Sequence, residues 1–185
     1  MYCDVIIAGY GGQGILFIGN VLAHAAMKEG KHVTYLPTYG VEMRGGTANC
    51  TVVISSEEIG SPVIGMPSSA IIMNSPSLMK FEQRLKPGGL LLLNSSMVDP
   101  KDVSRGEVEI LPLPLNEIAS QLGNVQLANM VALGAYVEKT LVVKETSIPS
   151  ALTNVLDERH HDMIPLNIQA IEKGRDFIRK RYRVG

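Results

Sequence analysis

Cysteine is scarce in this chain, and its scarcity narrows the field at once. Cys3 and Cys50 are the only two in 185 residues. Two cysteines are too few for a disulfide framework. Neither belongs to a C-x-x-C pair, so the chain lacks the thiolates to hold an iron–sulfur cluster of its own. Both read as reduced thiols in or beside strands, where free cysteine behaves as a small core residue. Charge of one sign is also missing. With 17 basic and 18 acidic side chains the net charge is −1, which gives no electrostatic case for nucleic acid, an acidic tail or a membrane surface. No apolar run approaches the ~20 residues of a membrane span. Met1-Tyr2-Cys3-Asp4 runs straight into a short apolar stretch, without the basic start and longer apolar core of a signal peptide. Repeats, low-complexity tracts and linkers are absent. The expectation is a soluble cytoplasmic protein.

Apolar residues make up 45% of the chain, enough for a sizeable core. The length suits one well-packed domain, residues 1–185, and is short for two. The first half alternates strand and helix. Val5-Ile6-Ile7-Ala8 is a continuous apolar run, as in a strand buried on both faces. Ile15, Ile18, Leu22 and Ala26 then recur at helical spacing, and Gly30 supplies a stop. Residues 32–36 alternate as a strand, and 47–55 are rich in β-branched residues. Ala70-Ile71-Ile72-Met73 reads as another buried strand, followed by a helix opening at Ser75-Pro76. Lys86-Pro87-Gly88-Gly89 signals a turn before a strand at 90–93, and 108–111 reads as the next strand. The second half reads as helices at 116–122, 126–139 and 166–182. Ala128, Ala132, Gly134 and Ala135 on the second of these permit close approach of a neighbour. Arg179-Lys180-Arg181 in the last helix complements the helix dipole, with a docking patch as the other reading. The pattern predicts a three-layer α/β/α fold, Rossmann-like, with a mostly parallel sheet.

Two clusters stand out. Gly9-Tyr10-Gly11-Gly12-Gln13-Gly14 satisfies G-x-G-x-x-G between a strand and a helix. There glycines let the backbone turn sharply and approach a ligand, and the helix start offers N–H groups to an anion. The dinucleotide version of the motif also needs an acid at the end of the second strand. Here that strand ends Tyr35-Leu36-Pro37-Thr38, and Glu29 falls in the last turn of the preceding helix instead. A nicotinamide enzyme is therefore disfavoured, and a tight turn without ligand is a further reading. The second cluster is Pro37-Thr38-Tyr39-Gly40-Val41-Glu42-Met43-Arg44-Gly45-Gly46. Glu42 and Arg44 can pair locally, or Arg44 can present its planar fork to a carboxylate or phosphate.

No catalytic or metal constellation appears. His24 lies within a helix and His32 at a strand start, while the adjacent His160 and His161 point in different directions on regular structure. There is no nucleophile motif, paired-carboxylate signature or Walker loop, and redox or carbon–carbon chemistry needs a cofactor for which no complete site is present.

The two clusters together, Gly9 to Ile15 and Pro37 to Cys50, with Ile59-Gly60-Ser61-Pro62 after them, resemble the gamma chains of 2-oxoacid:ferredoxin oxidoreductases. The resemblance is carried by about residues 3–65, and Arg44-Gly45-Gly46 is closer to the 2-oxoglutarate and branched-chain types than to the pyruvate type. It implies a complex of alpha, beta and ferredoxin-like subunits that decarboxylates a 2-oxoacid on thiamine diphosphate. Electrons pass through iron–sulfur clusters to ferredoxin, and an acyl-coenzyme A is formed. It also implies that the thiamine and cluster sites lie on other subunits, with no cofactor bound by this chain alone. Gly9, Gly11, Gly12, Gln13, Gly14, Tyr39, Glu42, Arg44, Gly45 and Gly46 are the candidate cofactor-facing residues, on one concave surface. A stand-alone NAD(P)-dependent oxidoreductase and a non-catalytic scaffold remain open beside it.

Overall fold

The computed structural model of the chain describes residues 1–38 and 47–182. Strand β1 (Tyr2–Tyr10) is the hub. Its two faces are buried in different cores, as its unbroken apolar run requires. Val5 and Ile7 join one cluster, and Ile6 and Ala8 the other. Helix α1 (Ile15–Lys28) follows and ends with Gly30 at φ 73°. Strands β2 (His32–Thr38) and β3 (Thr47–Ser55) come next. Strand β4 (Ser69–Ile72), helix α2 (Ser75–Phe81), strand β5 (Leu90–Asn94) and strand β6 (Glu109–Leu113) continue the alternation. Helices α3 (Leu115–Ser120), α4 (Ala128–Thr140), α5 (Ile148–Val155) and α6 (Ile164–Tyr182) complete the chain.

The six strands form one sheet in the order β2-β3-β1-β4-β5-β6. The β1–β4, β4–β5 and β5–β6 ladders are parallel. The β1–β3 and β2–β3 ladders are antiparallel, so β3 alone runs against the rest. The sheet is mixed, yet five strands share one direction, and the fold is α/β. Both edge strands contain a proline, Pro37 in β2 and Pro112 in β6. A missing ladder donor is tolerated at an edge.

Helix α1 and the carboxyl-terminal helices share the face that carries Val5 and Ile7, while α2 and the segment around Val98 cover the face of Ile6 and Ala8. The small residues of α4 meet α6. A Cβ on Gly134 would run into the Ile171 carbonyl, and one on Gly174 into the Val131 carbonyl. The two helix backbones are thus in contact, and neither position admits alanine without a shift. Arg175, buried on α6, binds Glu138 and Glu172 at 2.9 and 2.8 Å and also reaches Glu145. Arg179 adds a 2.7 Å bond to Glu138. That cation therefore belongs to an internal ion network.

Several boundaries differ from the sequence expectation. Helix α2 is capped by Asn74, whose side chain accepts the Ser77 N–H at 2.9 Å; Ser75 and Pro76 open the first turn. Strand β6 is shifted to Glu109–Leu113, α3 to Leu115–Ser120, and α5 was not anticipated. No described helix is long and apolar enough to cross a membrane.

Candidate functional site

The glycine loop leaves β1 at the carboxyl edge of the parallel strands and is held by its own glutamine. Gln13 Oε1 accepts the Tyr10 N–H at 2.6 Å and the Asn74 amide at 3.3 Å. The Gln13 N–H donates to the Tyr10 carbonyl at 3.2 Å. Because Asn74 also caps α2, one amide chain joins the end of β1 to the start of α2. A Cβ on Gly9 would lie 2.5 Å from Gln13 Oε1 and 3.0 Å from Met73 Cβ, so a side chain there would displace the glutamine. Gly12 and Gly14 have φ of +92° and +69°, the left-handed region where glycine is at ease. Gly14 also abuts the Asn129 amide, which donates to the Gly14 carbonyl at 3.4 Å. Helix α1 starts with no side-chain cap and no acid in its first turn. Its first N–H groups are thus left to a ligand or solvent.

Beside the loop lies a cavity of about 200 Å³ lined by Gly12, Gln13, Met73, Met97, Asn116, Val125, Gln126 and Ala128. A wider depression of about 570 Å³ shares Asn116 and is lined further by Ser96, Glu117, Ser120 and Gln121. The buried Asn94 ties the two together: it donates to Asn116 Oδ1 at 3.1 Å and accepts the Ser96 N–H at 3.3 Å. The smaller cavity offers thioethers and amides and has no described charged side chain on its wall. It can hold neutral polar and apolar groups, with the helix start as the anion-seeking element. No group of three His, Cys, Asp or Glu side chains that could hold a metal is found among the described residues.

The sequence-predicted residues divide in two. Gly9, Gly11, Gly12, Gln13 and Gly14 form the loop. Tyr39, Glu42, Arg44, Gly45 and Gly46 lie outside the described residues, as does the question of whether Glu42 and Arg44 pair. The flanks of that segment are described. Thr47 pairs with Tyr10, and Thr38 with Asn49, so both flanks leave the sheet at the edge where the glycine loop sits. Glu29 is at the opposite edge. Its carboxylate accepts Lys31 Nζ, Lys144 N and Ser147 Oγ at 2.6–2.7 Å. Burial pushes that carboxyl up, but the hydrogen bonds from Lys31, Ser147 and Lys144 outweigh it and hold it below the ordinary carboxylate range. The acid considered for a ribose hydroxyl is thus a structural tie between α1 and the segment leading into α5.

The thiols are inert by environment. Cys50 is buried under Gly19 of α1, and burial pushes its thiol up to about 12. Burial raises Cys3 as well, against a 3.2 Å contact with the Tyr136 hydroxyl. That hydroxyl also meets Ser69 Oγ at 2.8 Å, next to Asp4, whose carboxylate accepts the Ser68 N–H at 2.5 Å. This buried polar group sits at the amino edge, away from the loop. Sequence reasoning missed Met73, Met97, Asn116 and Gln126 at the cavity; they come from separate parts of the chain with no shared motif. Asn74-Ser75-Pro76 was the one usable signal.

Comparison with known proteins bears on these residues together. The family model described as pyruvate ferredoxin/flavodoxin oxidoreductase matches residues 4–177. The 2-oxoglutarate synthase subunit KorC of Methanothermobacter marburgensis is 33% identical over 181 residues, covering 95% of this chain and 96% of that one. The ketoisovalerate oxidoreductase subunit VorA of Methanothermobacter thermautotrophicus is 37% identical over 177 residues. That similarity covers 95% of this chain but only 36% of VorA, so the chain spans about a third of that relative's length. Among solved structures, a keto/oxoacid ferredoxin oxidoreductase gamma subunit from Geobacter sulfurreducens superposes with a TM-score of 0.79 at 28% identity, over 94% of this chain and 96% of that one.

Proposed function

The chain belongs to the pyruvate ferredoxin/flavodoxin oxidoreductase family, and from that we propose that it is the gamma-type subunit of a 2-oxoacid:ferredoxin oxidoreductase. It acts as one domain beside alpha, beta and ferredoxin-like companions. The whole assembly oxidatively decarboxylates a 2-oxoacid to an acyl-coenzyme A and reduces ferredoxin. The substrate is 2-oxoglutarate or a branched-chain 2-oxoacid, the two classes named by the relatives cited above. The setting is the cytoplasm.

The described residues of this chain do not fit an iron–sulfur cluster. An iron–sulfur cluster needs several exposed thiolates, whereas Cys50 is buried with its thiol raised to about 12 and Cys3 is held against Tyr136. This agrees with the gamma-subunit reading, which assigns the clusters, and with them thiamine diphosphate, to companion chains. The chain's own contribution is the carboxyl-edge surface. The observation that carries this reading is the register, with the Tyr10–Thr47 and Thr38–Asn49 pairs bringing the glycine loop and both flanks of the 39–46 segment to one edge. Open α/β sheets bind ligands at that edge. The loop N–H groups favour an anionic group of coenzyme A or an acidic residue of a companion, and Arg44 is the side chain assigned to the same group on this reading.

Co-expression with the companion chains tests the proposal. Arg44→Ala is expected to leave the chain folded but to weaken assembly or coenzyme A use by roughly tenfold to a hundredfold, the loss of one charge-assisted contact. Unchanged assembly and coenzyme A dependence would make Arg44 a local partner of Glu42. Titration of the chain with NADH separates the dinucleotide reading, which requires tight binding without companions.

A further inference from the structure

On the face of the sheet that carries α2, the β2–β3 wing forms a groove that the glycine-loop site does not use. Residues opposite each other on antiparallel strands share a face. Ile6 and Ala8 lie under α2, and their partners Thr51 and Asn49 pair onward with Leu36 and Thr38. These four side chains are therefore the floor. Helix α2 packs over β1 and β4, and between it and residues 62–64 a groove of about 240 Å³ stays open. One wall is apolar, with Val63 69% exposed. The other wall is cationic. Lys80 and Arg84 both stand over the Phe81 ring, at 5.3 and 5.6 Å from its centroid. Arg84 also braces the apolar wall by donating to the Ile64 carbonyl at 2.9 Å. No carboxylate lines the groove among the described residues. Apolar surface continues outside it at Met66 and Met79, 51% and 73% exposed.

We infer that this groove seats a segment of the larger companion polypeptide that presents an apolar side chain beside an aspartate or glutamate. The apolar wall and the exposed methionines take the apolar side chain; the two cations take the carboxylate. The companion is the fitting occupant because a domain similar to this chain occupies only 36% of VorA. In that relative the domain shares its polypeptide with a larger remainder, whereas KorC matches this chain end to end. On the gamma-subunit reading, affinity stands in place of that tether, and a cationic rim with no carboxylate partner among the described residues, beside exposed apolar surface, supplies both on-rate and grip. The inference rests on the gamma-subunit reading.

The test uses the full chain and its co-purified companion subunits. Val63→Asp and Lys80→Glu change exposed side chains, and each is checked by thermal melt before its companion affinity is measured at low and high salt. Each is expected to raise the Kd by ~tenfold or more, with the Lys80→Glu deficit lying mainly in the association rate and shrinking at high salt. A photo-crosslinking residue at position 63 is expected to capture a companion peptide containing an acidic residue. If the wild type binds no companion chain, the subunit reading itself fails and this inference with it. If the wild type assembles while both folded variants bind within twofold of it, the groove is not the seat and the subunit reading stands. A crosslink to a second copy of this chain, or none in an assembled complex, overturns the inference as well. That arm decides the matter if either variant fails to fold.

Discussion

Replacing Gln13 with leucine keeps most of the side-chain volume beside Gly9 and Met73 and removes the carboxamide, including its oxygen Oε1. That oxygen accepts the Tyr10 N–H at 2.6 Å and the Asn74 amide at 3.3 Å. The change leaves a part-buried backbone donor without its partner, which costs about 1–3 kcal/mol. For a chain of this size that is a fall in Tm of roughly 2–12 °C. Gln13→Glu retains the acceptor and is expected to melt near the wild type. The two variants separate structure from ligand contact when the assembled complex is also assayed. If the loop faces an anion, the added charge of Gln13→Glu weakens turnover at limiting coenzyme A while stability is kept. A calorimetric melt of each variant and a coenzyme A titration of each complex are sufficient. Gln13→Leu melting with the wild type would refute the view that this glutamine holds the loop.

Other perturbations test the frame around the site. Gly134→Ala should lower Tm although alanine is the better helix former by ~1 kcal/mol, because its Cβ meets the Ile171 backbone and overpacking costs about 1–3 kcal/mol; a higher Tm would show that α4 and α6 separate freely. Glu29 has a depressed carboxyl, so its contribution is present above the ordinary carboxylate range and is lost as pH falls through the depressed value. Glu29→Gln should therefore flatten the acid side of the Tm–pH profile, and an unchanged acid limb would contradict the Lys31–Ser147–Lys144 tie. Both thiols are raised by burial, Cys50 to about 12, so neither should be alkylated quickly in the native chain at mildly alkaline pH while both react in denaturant; rapid native labelling of Cys50 would show that α1 lifts from β3.

How far the sequence speaks depends on whether the signal is local. The unbroken run from Val5 to Ala8 announces a strand buried on both faces, and the glycines after it announce the turn. The small residues of α4 announced a close neighbour, and Gly174 of α6 is what makes the approach mutual. Helix α5 was missed because it has only two turns, with Ile148, Ala151 and Leu152 as its buried positions, too few for a periodicity to emerge. The opening at Ser75-Pro76 did not identify the cap of α2, because Asn74 and Ser75 are both good caps, and only the bond to the Ser77 N–H decides between them. The cavity beside the loop was illegible for a different reason. Met73 and Met97 follow β4 and β5, Asn116 lies in the first turn of α3 after β6, and Gln126 precedes α4, and only the folded chain brings these four places to one edge.

The central claim, that this chain works only as part of a larger assembly, is tested most directly by assaying it alone and reconstituted. The purified chain is expected to bind no iron or thiamine diphosphate and to show no 2-oxoacid-dependent reduction of a viologen dye. The same chain added to its companion subunits is expected to restore coenzyme A-dependent turnover with 2-oxoglutarate or a branched-chain 2-oxoacid. Robust turnover by the chain alone, or a companion assembly that turns over equally well without it, would contradict the account.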